Sequence, residues 1–530
     1  MAQASNPRFP LSLYKLRDGI ADPAGFVDIS GFPLSAEIDI GEGVVAKLYY
    51  GMSMGTPKWL QSLAATATSP LQELQASTVS GVLIAQVNQC HFALTFGHAW
   101  QRVRHTGIEP NFGIRCVLNL AKADSLRAIR RDRVAEAFIQ AIEQIPDSDD
   151  INRFGMDVEK DLLRGVKAKI DESSNFGAWV AGADSFKASI DLNVESIGGY
   201  LIRCLSLWAQ DAYKKDFEWV DNISPIRDVA LEEKLAIVLA EQVAAKGKGL
   251  TLCVPDLLAW DDHDIFSFER KKPKHSPCAN HLDLGQWVEF ITAERGGVTP
   301  EVLEESSIYA YRMDGTLGDR WSVKQCVHGL ISLDGRSYLA HGGHWFEIGN
   351  NFVARVDARI DAIKTATVAL PTTALSEKEG DYNQRVSKDS GGAILLMDKK
   401  LISHGGGKSK FEVCDLFTEN GHLVCVKPWG GKSGDLSHLF MQARNSVELI
   451  NNDHHYREKV RKYIHDVGPK FALSWDYICD EPKDAEVVLA ILRGCPKESL
   501  PFFAKLSLAS CIDDLRKMRF TASYLVISAA

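Results

Sequence analysis

Near the C-terminus three short strand-like runs follow one another between two helical stretches, and this order restricts the fold more than any other feature of the chain. Leu375–Val386 reads as a short helix opened by Ser376, with Glu379 three residues on at the spacing of a capping box. Ala393–Asp398, Phe411–Phe417 and His422–Lys427 are strand candidates, and Glu419-Asn420-Gly421 supplies the turn between the second and third. After a glycine-rich loop, Leu436, Leu439, Phe440, Ala443, Val447 and Ile450 recur with the period of an amphipathic helix. The unbroken apolar run Val487–Leu492 then reads as a strand buried on both faces. The segment 371–530 is therefore expected to be an αβββαβ layer.

The preceding residues follow another pattern. At roughly 100–200 residues per domain, 530 residues predict about three domains. With 45% hydrophobic and 24% charged residues, each has the material for a core. From Leu11 to Leu120 short alternating runs such as Val82–Val87 and His91–Phe96 predict a sheet. Asp124–Ile145 carries apolar residues at spacings of three to five and predicts a helix, as does Ile197–Tyr213. Residues 1–225 are expected to form one mixed α+β domain. Residues 226–370 read as a middle unit: a helix over Ala230–Ala245, a β-hairpin about Asp334-Gly335, and a closing helix over Asn350–Lys364. Leu370-Pro371-Thr372-Thr373 marks the last boundary, and the whole is a multidomain α+β / α/β protein.

The αβββαβ order, with an acid on the second strand and a lysine ending the third, resembles the core of the PD-(D/E)XK nuclease superfamily. The matching positions are Asp415 and Lys427, with Glu379 as the acid of the first helix. The resemblance implies a restriction-endonuclease-like fold in which carboxylates hold Mg²⁺ against a scissile phosphate while the lysine stabilises the attacking hydroxide. The superfamily's third-strand acid, two residues before the lysine, falls here on Cys425. Glu412 is the other candidate metal ligand, although three residues of ideal strand would turn it to the face opposite Asp415. Ser437, His438 and Gln442 on the following helix, and Lys408, Lys410 and Lys432 in the surrounding loops, are the candidate substrate contacts. Read without the resemblance, Asp415 and Lys427 are a cross-strand ion pair, or Asp415 is a turn-side charge. More broadly, FGIRCVLNL, DLLRGV, FEVCDLF and LSHLFMQ, in that order, resemble a sporadically distributed family of uncharacterised bacterial proteins, which implies a setting among mobile and defence genes.

Other chemistries have little support. Gly407-Lys408-Ser409 and Gly431-Lys432-Ser433 both lack the first glycine of a P-loop, though the second sits where a helix N-terminus could hold phosphate. His341-Gly342-Gly343-His344 has no carboxylate or cysteine at ligand spacing and reads as a hairpin turning into the core; Asp261–Asp264 reads as an acidic loop. The eleven scattered cysteines form no CxxC pair, and the first twenty residues contain no signal-peptide run. A cytoplasmic protein without membrane spans is expected. The net charge of -9 neither indicates nor excludes nucleic acid. The expected function is a metal-dependent nuclease, using Mg²⁺ and acting on nucleic acid in defence. The alternative is a non-catalytic nucleic-acid-binding or sensor protein on a degenerate nuclease fold. A protein partner or an oligomer is left open.

Overall fold

A computed structural model describes residues 8–20, 22–69, 74–135, 138–191, 193–247, 249–256, 258, 263–270, 281–313, 316–404, 410–430, 433–480 and 485–530. The chain is a multidomain α+β protein with several antiparallel sheets. Among the described residues no helix is long and apolar enough to cross a membrane, and every described cysteine is a free thiol.

The N-terminal part is built on a ten-stranded antiparallel sheet. The stretch expected as a helix over Asp124–Ile145 instead supplies its last two strands, Leu126–Arg133 and Ile139–Asp149. In the first of these, Leu126, Ile129 and Asp132 are buried and the intervening arginines half-buried, with a bulge between Leu126 and Ala128. That bulge shifts the face of the strand and makes its apolar residues recur every third position, which imitates a helix. The helix Phe112–Leu120 packs on the sheet at backbone distance: a Cβ on Gly113 would stand 2.0 Å from the Ser185 carbonyl oxygen. Only glycine permits that approach.

In the middle part a five-stranded antiparallel sheet runs Ile223–Pro225, His344–Ile348, Arg336–His341, Val327–Leu333, Leu250–Leu252. The expected Asp334-Gly335 hairpin forms, with φ of 51° and 76° at its two turn residues and Leu333 paired to Arg336. Gly342-Gly343 makes the next turn, with φ of 61° and 82°, and pairs His341 with His344. Both turns need two consecutive residues at positive φ, which Asp and Gly tolerate. Helices Val229–Ala244 and Leu284–Arg295 and the closing helix Asn350–Asp361 surround this sheet.

The C-terminal part is a six-stranded mixed sheet in the order Lys364–Thr365, Thr521–Ile527, Glu486–Leu492, His422–Pro428, Leu416–Thr418, Ile394–Leu396. The first four strands are mutually parallel and the last two pairings antiparallel. All residues of Glu486–Leu492 are buried, as expected for a strand covered on both faces. On one face Tyr382 and Val386 of the helix Glu379–Asp389 pack against Leu416, Val424 and Val488. The other face carries the helices Ser433–Asn452, His454–Val467, Ala472–Asp480 and Phe502–Lys517.

The first helix starts later than the sequence suggested. Its N-cap is Lys378, so Glu379 is its first residue and Ser376 does not cap it. Glu377 anchors the segment before it, accepting hydrogen bonds from Thr373 Oγ1 at 3.0 Å and Ala374 N–H at 3.2 Å and pairing with Arg385 at 2.7 Å.

Candidate functional site

Four acidic side chains from three segments lie near one another where the antiparallel edge of the C-terminal sheet meets the Glu379 helix. Leu416 pairs with Val424, which sets the preceding residue, Asp415, beside the far end of the strand His422–Pro428. Hydrogen bonds on both sides fix the Asp415 backbone: its N–H donates to the Val424 carbonyl at 2.9 Å, and its own carbonyl accepts the Met397 and Asp398 N–H groups at 2.8 and 3.0 Å. Its side chain is 2% exposed, and Oδ2 accepts the Val426 N–H at 2.7 Å.

Glu412 reaches the same place because the strand expected over Phe411–Phe417 is interrupted. Lys410–Phe411 pairs instead with Ile402–Ser403 in a separate two-stranded ribbon, and the sheet resumes only at Leu416. The irregular backbone between them releases Glu412 from the strict alternation that would point it away from Asp415. Its carboxylate accepts Gln442 Nε2 at 3.2 Å and is also bound by the Lys399 N–H. Glu379 accepts Lys427 Nζ at 3.0 Å, both side chains being about one-third exposed or less. Lys427 therefore pairs with the helix acid, and the cross-strand Asp415–Lys427 pair considered from sequence is replaced by this one.

Asp398 completes the group, and sequence reasoning does not select it. It follows the edge strand Ile394–Leu396, in a turn that brings it against the start of the Glu379 helix. A Cβ on Gly380 would lie 3.5 Å from Asp398 Oδ2 and 3.3 Å from Lys399 Nζ. Its one signal in the sequence is its place at the C-terminal end of the strand candidate Ala393–Asp398.

The electrostatics follow from this crowding. Burial lifts the Asp415 carboxyl to about 7, and Glu379, Glu412 and Asp398 add to the rise against the Val426 hydrogen bond. Glu412 is raised as well, first by burial and then by Asp398 and Glu379. Cys425 lies in the apolar core at 1% exposure, and burial pushes its thiol well above the ordinary range, Asp415 adding to the effect. It stays neutral and offers no oxygen donor.

The remaining expected contacts divide. Ser437 is half-buried and His438 exposed on the helix Ser433–Asn452, with His438 one turn before Gln442 on the same face. Lys410 is exposed on the short ribbon. Lys408 and Lys432 lie outside the described residues, as do Asp261 and Asp262 of the acidic loop. Among the described residues no three His, Cys, Asp or Glu side chains stand close enough together to hold a metal ion. Chemically the site is a set of carboxylate oxygens in mutual repulsion, with one lysine and one amide at its border.

A comparison with curated proteins finds no match. A comparison with solved structures finds none either. Residues 11–528 match the family of unknown function DUF6119, and the chain belongs to that family.

Proposed function

We propose that the C-terminal part is a restriction-endonuclease-like core and that the protein is a metal-dependent nuclease. The observation that carries this reading is the placement of Asp415, Glu412, Glu379 and Asp398 around one corner of the C-terminal sheet, with Lys427 Nζ 3.0 Å from Glu379, where burial and the neighbouring acids raise the Asp415 carboxyl. Neighbouring carboxylates repel one another, and a divalent cation drawn between two of them would relieve that repulsion. The donors are all oxygen, which suits Mg²⁺. Asp415 and Glu412 would hold the ion, with Glu379 free to join when Lys427 turns to substrate. The bound ion would supply a Lewis acid for a phosphodiester.

The protein's own groups divide the remaining work. Val426 N–H and the doubly anchored backbone of Asp415 hold its carboxylate in one orientation. Lys427, already oriented by Glu379, would stabilise charge on the phosphoryl oxygens or the attacking water. Gln442 fixes Glu412, and His438, on the exposed turn of the same face, would contact the nucleic-acid backbone with Lys410. The strand order supports the reading: the antiparallel strand that Asp415 leads into lies between the edge strand and the lysine strand, and three parallel strands follow.

Asp415→Ala and Lys427→Ala are each expected to abolish Mg²⁺-dependent cleavage of DNA or RNA while the circular-dichroism spectrum stays unchanged. Cleavage that survives both substitutions would end this reading. A second reading, a nucleic-acid-binding or sensor protein on the same core without chemistry, is favoured by one observation, the buried neutral Cys425 at the third-strand acid position. It predicts metal-independent binding of nucleic acid with no cut product.

A further inference from the structure

A second cluster of ionisable groups lies outside the carboxylate site, where the N-terminal and middle sheets meet. Asp132, on the strand Leu126–Arg133, is fully buried, and its Oδ2 lies 2.7 Å from His341 Nε2 and 3.5 Å from Arg164 Nε. His341 Nδ1 in turn lies 3.0 Å from His328 Nδ1 on the neighbouring strand. Phe138 covers both rings at centroid distances of 5.5 and 4.8 Å. The chain Asp132–His341–His328 ends at a cavity of about 960 Å³ that His328 lines, between the middle sheet and the start of the helix Phe502–Lys517.

The proton positions along this chain follow from what each atom can do. A carboxylate only accepts, so His341 Nε2 carries the proton that it shares with Asp132. A neutral His341 then has a bare Nδ1, and the bond between the two Nδ1 atoms requires His328 to donate. A neutral His328 is left with a bare Nε2, the one ring nitrogen not engaged by His341. Burial keeps both imidazoles neutral, lowering His328 well below the ordinary range and His341 less, where the Asp132 hydrogen bond opposes it. The chain thus holds one lone pair in a fixed tautomer at the cavity wall.

The rest of the wall narrows the ligand. Thr251 is paired directly with His328 across the sheet, so its hydroxyl shares that face, and Ser332 and Asn350 add uncharged polar groups. Phe138 offers apolar ring surface, and Phe502 and Phe503, 6% and 3% exposed, close the wall behind it. The cations of the wall are already matched: Lys505 Nζ to Asp357 at 2.7 Å and Arg336 to Glu347 at 3.4 Å. An anionic phosphate would have to break one of these pairs, whereas an uncharged ligand would not.

We propose that this cavity is a binding site for an uncharged nucleoside, whose ring lies against Phe138 and which donates a hydroxyl or ring N–H to His328 Nε2. The size falls within the range of small-molecule sites, roughly 300–1,000 Å³. The test is calorimetric titration of the full-length protein with adenosine, guanosine, cytidine and uridine, and with their 5′-monophosphates. Wild type is expected to bind at least one nucleoside, more tightly than its monophosphate. His328→Phe, which keeps the ring volume and removes the acceptor, is expected to weaken binding at least tenfold. Should that variant fail to fold, Thr251→Val serves in its place and is expected to weaken binding by severalfold. No binding by any of the four nucleosides, a monophosphate binding more tightly than its nucleoside, or affinity unchanged in the folded variants would overturn the proposal.

Discussion

The carboxylate site and the Asp132–His341–His328 chain solve opposite electrostatic problems with similar burial. In the first, Asp415 is surrounded by other acids and holds a proton that an isolated aspartate would lose. In the second, Asp132 is matched on one side by Arg164 and on the other by an imidazole N–H. One arrangement crowds acids against one another; the other sets its acid beside a guanidinium and an imidazole, although Asp132 Oδ1 and Arg164 Nε have no hydrogen-bond partner. Under the two proposals, the first site would recruit a cation and the second would receive a neutral hydrogen-bond donor.

The sharpest way to break this comparison is to remove the matched acid. Asp132→Ala leaves Arg164 and His341 buried without their partner and is expected to cost about 3–5 kcal/mol in urea denaturation. A cost below about 1 kcal/mol would mean that the chain is not a matched unit. Removing the unmatched acid should do the reverse. Asp415→Asn keeps an acceptor for Val426 N–H but removes the charge. The unfolded aspartate ionises near 3.8 and the folded one near 7, so the folded protein holds the extra proton across that window and loses stability as pH rises through it. The substitution is therefore expected to stabilise the metal-free protein by up to about 4 kcal/mol at pH 8 and by less at pH 5. A gain that does not grow with pH would show that Asp415 is not held protonated.

The same proton sets the next effect. Because a cation must displace it, excess Mg²⁺ is expected to raise the melting temperature more at pH 8 than at pH 6, read by differential scanning fluorimetry. Equal shifts at the two pH values would separate metal binding from Asp415. The smallest effect belongs to Cys425→Ala, expected to cost about 1 kcal/mol through a small core cavity and to leave metal affinity unchanged, because the thiol faces apolar neighbours.

The two regions also differ in how far they can be read from the sequence. Asp415, Lys427 and Glu379 sit on consecutive elements whose order is itself a signal, and strong apolar runs such as Val487–Leu492 fixed the sheet around them. Glu412 was legible only as an exception, since its place depends on an interruption of the strand that periodicity cannot foresee. Asp398 was hidden because turn geometry, not spacing, carries it inward. The buried chain was invisible: Asp132 meets His341 across a sequence separation of 209, in a strand whose bulged pattern reads as a helix. The hairpins beside it were plain, because Asp334-Gly335 and Gly342-Gly343 state their φ requirement in composition.

The most direct test of the account is calorimetric titration of Mn²⁺ into wild type and Asp415→Asn at pH 8. The account predicts that wild type binds the ion and that the substitution weakens it at least tenfold, roughly 1.4 kcal/mol or more. Absence of binding in wild type, or equal affinity in the two proteins, would contradict it.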